Sequence, residues 1–269
     1  MLREMERTNT YAVDQAAYFR LMAEMDYTKH LGGIAATRQL ATLCGLKAEE
    51  LVLDVGCGVG ISPVLLARRY DCRVMGVDLL PALVARAALR ARREQMADRI
   101  TFQVADARFL PYDDDLFDAV IAESVLSFLP DPAQALAEMM RVTRPGGHVA
   151  FTEGIWMQPP SPEMADFMTG TAGLPAGLLD HEEWLALMQR TGLEQVTGRA
   201  HAISARSEAR DQLGRLGLEN YVRLIARSIP VIFKPEYRFL LTEGRRQPVP
   251  KYFSYIGYGV YAGLKARQG

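Results

Sequence analysis

The chain has 269 residues, of which 49% are hydrophobic and 23% are charged, and its formal net charge is −1. A chain of this length buries a sizeable core as one large domain, or as one domain with a cap. The balanced charge excludes the basic surfaces typical of proteins that bind nucleic acids, and no apolar run reaches the roughly 20 residues of a membrane span.

The first 47 residues are predicted to form a helical N-terminal cap ahead of the first strand. Apolar residues recur at helical spacing over about 11–25 and again over about 34–44. Between them, residues 26–33 form a polar break that carries Tyr27 and His30 and ends in two glycines. This break either folds over a ligand site or serves as ordinary loop packing, and the sequence leaves both interpretations open.

A buried strand followed by a glycine-rich turn organises the rest of the chain. Residues 51–55 are apolar except for Asp54, which is typical of a strand in a parallel sheet. Glycines then occupy three alternate positions before helical spacing resumes over 61–70: Gly56, Gly58 and Gly60. Such a unit exposes bare backbone to a ligand at the carboxyl end of the strand. The G-x-G-x-G spacing departs from the dinucleotide pattern G-x-G-x-x-G, which places pyrophosphate at a helix N-terminus.

Acidic residues follow the next predicted strands. These pairs of strand and acid are 72–77 with Asp78, 100–104 with Asp106, and 117–122 with Glu123. Asp78 lies 18 residues after Gly60, close to the separation at which a carboxylate reaches a ribose diol. Its two oxygens can accept from both hydroxyls. The alternative role of Asp78 is to cap the helix that begins at Pro81.

This run of motifs resembles the class I (Rossmann-like) S-adenosylmethionine (SAM)-dependent methyltransferases. The resemblance covers roughly residues 50–153, and it includes Phe117-Asp118 at a strand start and Arg144-Pro145-Gly146-Gly147 before a fifth strand at 148–152. It implies an α/β fold with a seven-stranded, mostly parallel Rossmann-like sheet whose last strand is antiparallel. It also implies SAM as the cofactor and S-adenosylhomocysteine as the product.

The resemblance also assigns the cofactor contacts. Asp78 is expected to bind the ribose and Leu79 to pack on the adenine, while Asp106 accepts from the adenine amine and the N–H of Ala107 donates to a ring nitrogen. Glu123 is expected near the sulfonium or the amino group of the methionine tail. The glycine turn supplies the remaining contacts: Asp54, Gly56, Cys57, Gly58 and Gly60. The fold requires no metal, and no metal site is predicted.

Beyond Glu153 the chain carries apolar material that a minimal methyltransferase fold does not need. The predicted segments are an additional cap loop at 154–180, a helix at 181–191, a strand at 196–203, a helical lid insert at 205–250 and a closing strand at 252–263. The methyltransferase core is therefore predicted to comprise 48–204 and 251–269. The aromatic and aliphatic residues of the cap loop and lid suit an apolar substrate pocket, or alternatively the interface of a homodimer.

Methyl transfer from a sulfonium demands few catalytic side chains, because alignment of the acceptor supplies much of the rate. A base is needed only when the acceptor atom must lose a proton. The candidates are His30, Tyr27 and Glu123, with Glu153 also near the expected site. His30 is the natural base at neutral pH, since a histidine has a reference pKa near 6.5. Its alternative role is to cap a turn.

The sequence thus predicts a SAM-dependent methyltransferase that acts on a small, apolar or aromatic molecule, with C- or O-methylation favoured. Three alternatives remain: an N-methyltransferase of a small amine, a non-catalytic SAM-binding interaction protein, and a nicotinamide oxidoreductase, which the glycine spacing disfavours.

Three cysteines without a C-x-x-C pair favour the reducing cytoplasm. No nucleic acid is expected as a partner, because a basic stripe and a base-flipping tetrapeptide are missing.

Overall fold

A computed structural model describes residues 19–20, 23–26, 30–171, 174, 177–204 and 253–267. Tyr27 and the predicted lid insert lie outside these residues. The elements, in chain order, are α1 (Gly33–Leu43), β1 (Leu51–Val55), α2 (Ile61–Tyr70), β2 (Arg73–Asp78), α3 (Pro81–Arg93), β3 (Ile100–Val104), β4 (Phe117–Glu123), a 3₁₀ turn (Leu126–Phe128), α4 (Pro132–Val142), β5 (Thr143–Trp156), α5 (Pro162–Asp166), a π-helical turn (Phe167–Thr171), α6 (His181–Thr191), β6 (Glu194–Ala202) and β7 (Ile256–Leu264). In the part of the chain so described, no helix combines the length and apolar character needed to cross a membrane.

The strands form one seven-stranded sheet in the order β3-β2-β1-β4-β5-β7-β6. Strands β1 to β5 pair in parallel, whereas β7 lies antiparallel between β5 and β6. This arrangement confirms the predicted Rossmann-like sheet with an antiparallel last strand. The strand order reverses between β1 and β4, and ligands of open α/β sheets bind at such a switch point, beyond the carboxyl ends of the strands.

Helices cover both faces of the sheet because the central strands are apolar on both sides. On one face, Leu136 of α4 and Trp184 of α6 pack with Phe151 of β5. On the other face, Leu40 of α1 and Leu66 of α2 pack on the side chains that the central strands direct to that side.

Local capping fixes where α4 and α6 begin. The Asp131 carboxylate accepts from two backbone N–H groups at the start of α4, and Asp180 forms a capping box with Glu183 at the start of α6.

Strand β5 is longer than the sequence predicts. It runs from Thr143 to Trp156, so it includes the predicted turn before 148 and the first residues of the predicted cap loop. Antiparallel pairing with β7 continues as far as Trp156, which lies opposite Ile256, and this ladder satisfies backbone groups that a loop would leave unpaired. The remainder of the cap loop contains α5 and the π-helical turn, so it is partly helical.

Candidate functional site

Acidic residues lie at or near the carboxyl ends of all five parallel strands. They are Asp54 in β1, Asp78 at the end of β2, Asp106 just after β3, Glu123 at the end of β4 and Glu153 in β5. Parallel strands end at the same edge of a sheet, so these side chains share one edge. The prediction from sequence that they come together is consistent with this topology, and their contacts separate them into distinct roles.

The glycine turn leaves β1 in a backbone conformation that glycine adopts without strain. Gly56, Gly58 and Gly60 have φ values of 75°, 54° and 80°, all in the left-handed region. The N–H of Gly56 donates to the carbonyl oxygen of Val77 in β2, at 2.7 Å. A Cβ on Gly60 would lie 3.0 Å from the backbone of Ala87, so this glycine also lets α2 approach α3. The turn is therefore held on β2 and α3, with its shape fixed before any ligand arrives.

Asp78 joins the end of β2 to the glycine turn. Its Oδ2 accepts from the N–H of Gly58, and its Oδ1 accepts from the N–H of Leu80, both at 3.0 Å. Burial raises the pKa of this carboxyl above its ordinary value, against the opposing effect of its backbone donors. Each oxygen retains a further acceptor position, because a carboxylate oxygen can accept more than one hydrogen bond.

Asp54 is a buried carboxyl that lacks a hydrogen bond on one oxygen. It is 2% exposed, and no described residue donates to its Oδ2. Burial raises its pKa well above the ordinary value, and the negative charges of Glu123 and Asp78 raise it further. Three carboxyls therefore act on one another beside the glycine turn. A positive ligand group placed there would relieve their repulsion.

Glu123 is held by side chains from two helices. Thr37 of α1 donates from Oγ1 to Oε1 of Glu123 at 2.8 Å, and Ser62 of α2 donates from Oγ to Oε2. His30 also contacts this carboxyl, since its Nδ1 lies 3.2 Å from Oε1. The structure thus brings together His30 and Glu123, two of the residues predicted as catalytic, although 93 residues separate them in the sequence.

The remaining predicted contacts lie on the β2–β3 side of the site. Arg108 engages Asp106 through its backbone N–H at 2.9 Å and through its guanidinium at 2.7 Å, which lowers the pKa of this carboxyl. A ligand amine at Asp106 must therefore share the carboxylate with Arg108. Leu79 is 43% exposed beside Asp78, as expected of a side chain that packs on a ligand. Ala107 follows Asp106 directly and is half-buried.

Comparison with known proteins assigns this segment to a family. Residues 53–151 match the family model described as a methyltransferase domain. Methyltransferase GfsG of Streptomyces halstedii is 40% identical over 121 residues, which are 45% of this chain and 44% of that protein. Over this segment the chain is therefore similar to methyltransferases, which confirms the predicted resemblance to the class I SAM-dependent family. The enzyme 27-O-demethylrifamycin SV methyltransferase of Amycolatopsis mediterranei is similar too, at 38% identity over 126 residues, 47% of this chain and 46% of that one.

The fold extends the likeness beyond the aligned segment. A solved SAM-dependent methyltransferase of Geobacter sulfurreducens, in complex with S-adenosylhomocysteine, has a TM-score of 0.69 and 22% identity, and the match covers 92% of this chain and 98% of that one. The aligned segments span less than half the length of the two curated relatives above. The matched residues 53–151 run from β1 into β5 and include the glycine turn and four of the five acidic residues, whereas Glu153 lies just beyond them.

Cys57 and Glu153 are two further site candidates with buried side chains. Burial raises the pKa of the Cys57 thiol well above its ordinary value, and the backbone N–H of this residue donates to Val77. Glu153 is 1% exposed. Its carboxylate accepts from the N–H groups of Val125 and Leu126 at 2.8 and 2.6 Å, and from the hydroxyl of Ser127 at 2.7 Å. Glu153 therefore fixes the turn after β4, where Val125 packs against Gly56.

The pKa of Glu153 predicts a pH-dependent effect of its substitution. Burial raises this pKa to about 7, so the folded chain binds the proton more tightly than the unfolded chain, whose pKa is near 4.5. The stabilisation that the proton provides is complete below pH 4.5 and is lost as the pH rises through 7. Glu153→Gln mimics the protonated form, so its stability relative to the parent should rise by about 2–3 kcal/mol between pH 5 and 8.

Urea unfolding at the two pH values measures this difference. Glu138→Gln is the control without a pH-dependent effect in this range, because Arg141 lowers the pKa of Glu138 and its titration lies below pH 5 in both states. An equal effect of Glu153→Gln at pH 5 and pH 8 would show that Glu153 titrates as it does in the unfolded chain.

An apolar cluster packs against Leu31, the residue after His30. Its buried members are Met164, Met168, Leu174, Leu178, Ile203 and Ile256. The backbone N–H of Leu31 also contacts Oγ of Ser124, directly after Glu123, at 3.4 Å. The predicted cap loop thus places apolar side chains next to the residue that follows His30.

Sequence reasoning missed Thr37 and Ser62 as partners of Glu123. Ser62 lies two residues after Gly60, so its position in the first turn of α2 was a usable signal. Thr37 lies within α1, and no motif in the sequence distinguishes it from a residue that only packs. Its role depends on how α1 lies across the sheet edge.

Proposed function

We propose that this protein binds SAM and transfers its methyl group to a small apolar or aromatic molecule, with oxygen or carbon as the acceptor atom. The observation that carries the proposal is Oδ2 of buried Asp54, to which no described residue donates, next to the glycine turn and the charges of Asp78 and Glu123. SAM carries two positive groups, the sulfonium and the amino group, that suit such a site. A nicotinamide dinucleotide would bring a negative pyrophosphate to the same carboxyls, which disfavours it.

The residues at the strand ends fit the other parts of SAM. The open acceptor positions of Asp78 suit the two ribose hydroxyls, and the exposed side chain of Leu79 suits the adenine ring. Asp106 and the N–H of Ala107 are assigned to the adenine edge. The backbone of Cys57 and the three glycines lines the turn beneath the ligand. We assign the positive groups to Asp54 and Glu123.

The chemistry asks this chain chiefly to position an acceptor. SAM supplies a methyl group on a positively charged sulfur, which is already activated for transfer. When the acceptor is a hydroxyl, His30 accepts its proton. Nδ1 of His30 lies 3.2 Å from Oε1 of Glu123 and Nε2 lies 3.4 Å from Oγ1 of Thr37, so both ring nitrogens face the groups around Glu123. Thr37 and Ser62 hold Glu123 in place, so the orientation of His30 is fixed by the helices of the core. Tyr27 remains a proposed catalytic residue.

The acceptor is proposed to be apolar because of its surroundings. The cluster of Met164, Met168 and Leu178 adjoins Leu31, and ligand pockets are lined mainly by such side chains. The names of two relatives, a 27-O-demethylrifamycin methyltransferase and a tocopherol O-methyltransferase, describe O-methylation of organic molecules. We place the reaction in the cytoplasm, in keeping with three free cysteines, with the small acceptor as the partner.

Acceptor-dependent formation of S-adenosylhomocysteine tests the proposal. The protein is incubated with SAM and separate panels of phenols and quinols, of activated carbon acids, and of small amines, and the product is measured by mass spectrometry. The proposal expects turnover with at least one phenol, quinol or carbon acid, and loss of O-methylation in His30→Ala. Turnover of amines alone would replace it with N-methylation. SAM binding without turnover in any panel would favour the non-catalytic alternative.

A further inference from the structure

One arginine of α3 contacts both the glycine turn and the N-terminal cap. Nε of Arg90 donates to the carbonyl oxygen of Val59, which lies between Gly58 and Gly60, at 2.8 Å. Nη2 of the same guanidinium donates to the carbonyl oxygen of Asp26 at 2.9 Å and lies 3.3 Å from its Oδ1. A single planar group therefore fastens the turn of the cofactor site to the chain just ahead of residues 27–30.

The contact lies where the two segments already pack together. Ala23, three residues before Asp26, is buried in one cluster with Val59 of the glycine turn and Leu83 of α3. Asp26 itself has a φ of 55°, and its N–H donates to the carbonyl oxygen of Ala23, so the helical segment ends at this residue. His30 follows four residues later, at Glu123. The position of Asp26 thus fixes where the helical segment ends, four residues before the predicted base His30.

Arginine suits this task because its nitrogens point in fixed directions from one plane. A lysine at position 90 could bond Val59 or Asp26 but has a single nitrogen for both. The ion pair with Asp26 contributes little by itself, since the side chain is partly solvated. The two backbone carbonyls are the specific targets, because their positions are set by the glycine turn and by the end of the cap helix.

We propose that Arg90 is a positioning residue that couples residues 23–26 to the cofactor turn, so that a ligand bound at the turn also stabilises these residues. Cofactor binding fixes the carbonyl of Val59, and the hydrogen bonds of Arg90 extend this restraint to Asp26. The inference rests on the proposed SAM binding for its ligand-dependent part. The fastening of the cap by Arg90 stands without it.

The chain offers a matched control on the same helix. Arg93 pairs with the same carboxylate, since its Nη1 lies 3.3 Å from Oδ2 of Asp26. It is 57% exposed, against 22% for Arg90, and within the described residues it donates no hydrogen bond to the glycine turn. Arg93→Met and Arg90→Met therefore remove the same charge from the same carboxylate, and they differ in the contacts to the backbone carbonyls of Val59 and Asp26.

Hydrogen exchange of the full chain, with and without S-adenosylhomocysteine, tests the coupling. Without ligand, Arg90→Met should speed exchange in the peptide covering 19–32 by about tenfold, the scale of losing a hydrogen bond to a charged group, and Arg93→Met should leave it near the parent rate. With ligand, the parent and Arg93→Met should gain protection in this peptide. Arg90→Met should gain it only around the glycine turn, and its turnover should fall.

Two outcomes would overturn the proposal. One is equal exchange of the 19–32 peptide in Arg90→Met and the parent without ligand, and the other is an equal effect of both arginine variants. If S-adenosylhomocysteine protects no part of the parent protein, the proposed function fails, and the ligand-free comparison still decides whether Arg90 fastens the cap. If Arg90→Met does not fold, Arg90→Lys and Arg93→Lys replace the pair, with the same ordering of exchange rates expected.

Discussion

Replacing Asp78 with alanine should weaken binding of S-adenosylhomocysteine by about 1.5–3 kcal/mol, the usual scale for hydrogen bonds to a charged group. The variant loses the proposed acceptor for the ribose hydroxyls. It also removes the partner of the N–H groups of Gly58 and Leu80, so the glycine turn loses one of its hydrogen bonds to β2. Isothermal titration calorimetry gives the dissociation constant directly.

Asp106→Ala is the matched comparison for Asp78→Ala. The proposed ligand group at Asp106 is a neutral amine, and the carboxylate is already engaged by Arg108, so the loss should be smaller. Equal affinity of both variants and the parent would contradict the assignment of ribose and adenine to these strand ends. A larger loss in Asp106→Ala than in Asp78→Ala would reverse it.

Gly56→Ala should lower the affinity for S-adenosylhomocysteine more than tenfold. A Cβ at this position would lie 2.2 Å from Cγ2 of Val125, and the φ of 75° adds strain for any other residue. Either the glycine turn or the turn after β4 must move, and both belong to the proposed cofactor site. Calorimetry of the folded variant measures the loss, and thermal unfolding measures its stability.

Gly45→Ala separates backbone strain from the clash. Gly45 has a similar φ of 58°, but apart from its chain neighbours no described residue comes within 4 Å of the position its Cβ would take. This variant should lose about 1–2 kcal/mol of stability and keep the affinity of the parent. In the double variant, Val125→Ala should restore part of the binding lost in Gly56→Ala. Normal binding by Gly56→Ala alone would show that the turn accommodates a side chain.

The glycine turn and the acidic strand ends were predictable from the sequence because their signals are local. The strand, the three glycines and the helix follow one another within residues 51–70, and the left-handed φ values explain why glycine stands at each position. Asp78 could be assigned from its distance along the chain, since β2 must return to lie beside β1. The parallel order of the first five strands then followed from the alternation of strand and helix.

Contacts between distant side chains were not predictable in the same way. Thr37 and Glu123 are 86 residues apart, and their hydrogen bond depends on how α1 lies across the sheet. The contact of Arg90 with Val59 similarly depends on the packing of α3 against α2. The sequence did suggest His30 and Glu123 separately, from residue type and strand end. Their meeting depends on the fold, as does the length of β5, which is set by its partner β7.

Titration of the unmodified protein with S-adenosylhomocysteine and, separately, with NAD tests the central claim most directly. The carboxyls of Asp54, Asp78 and Glu123 beside the glycine turn suit a ligand with a positive amino-acid tail and disfavour a pyrophosphate. Calorimetry should therefore detect S-adenosylhomocysteine with a dissociation constant in the micromolar range, and NAD should give no heat of binding. Heat from NAD without heat from S-adenosylhomocysteine would contradict the account.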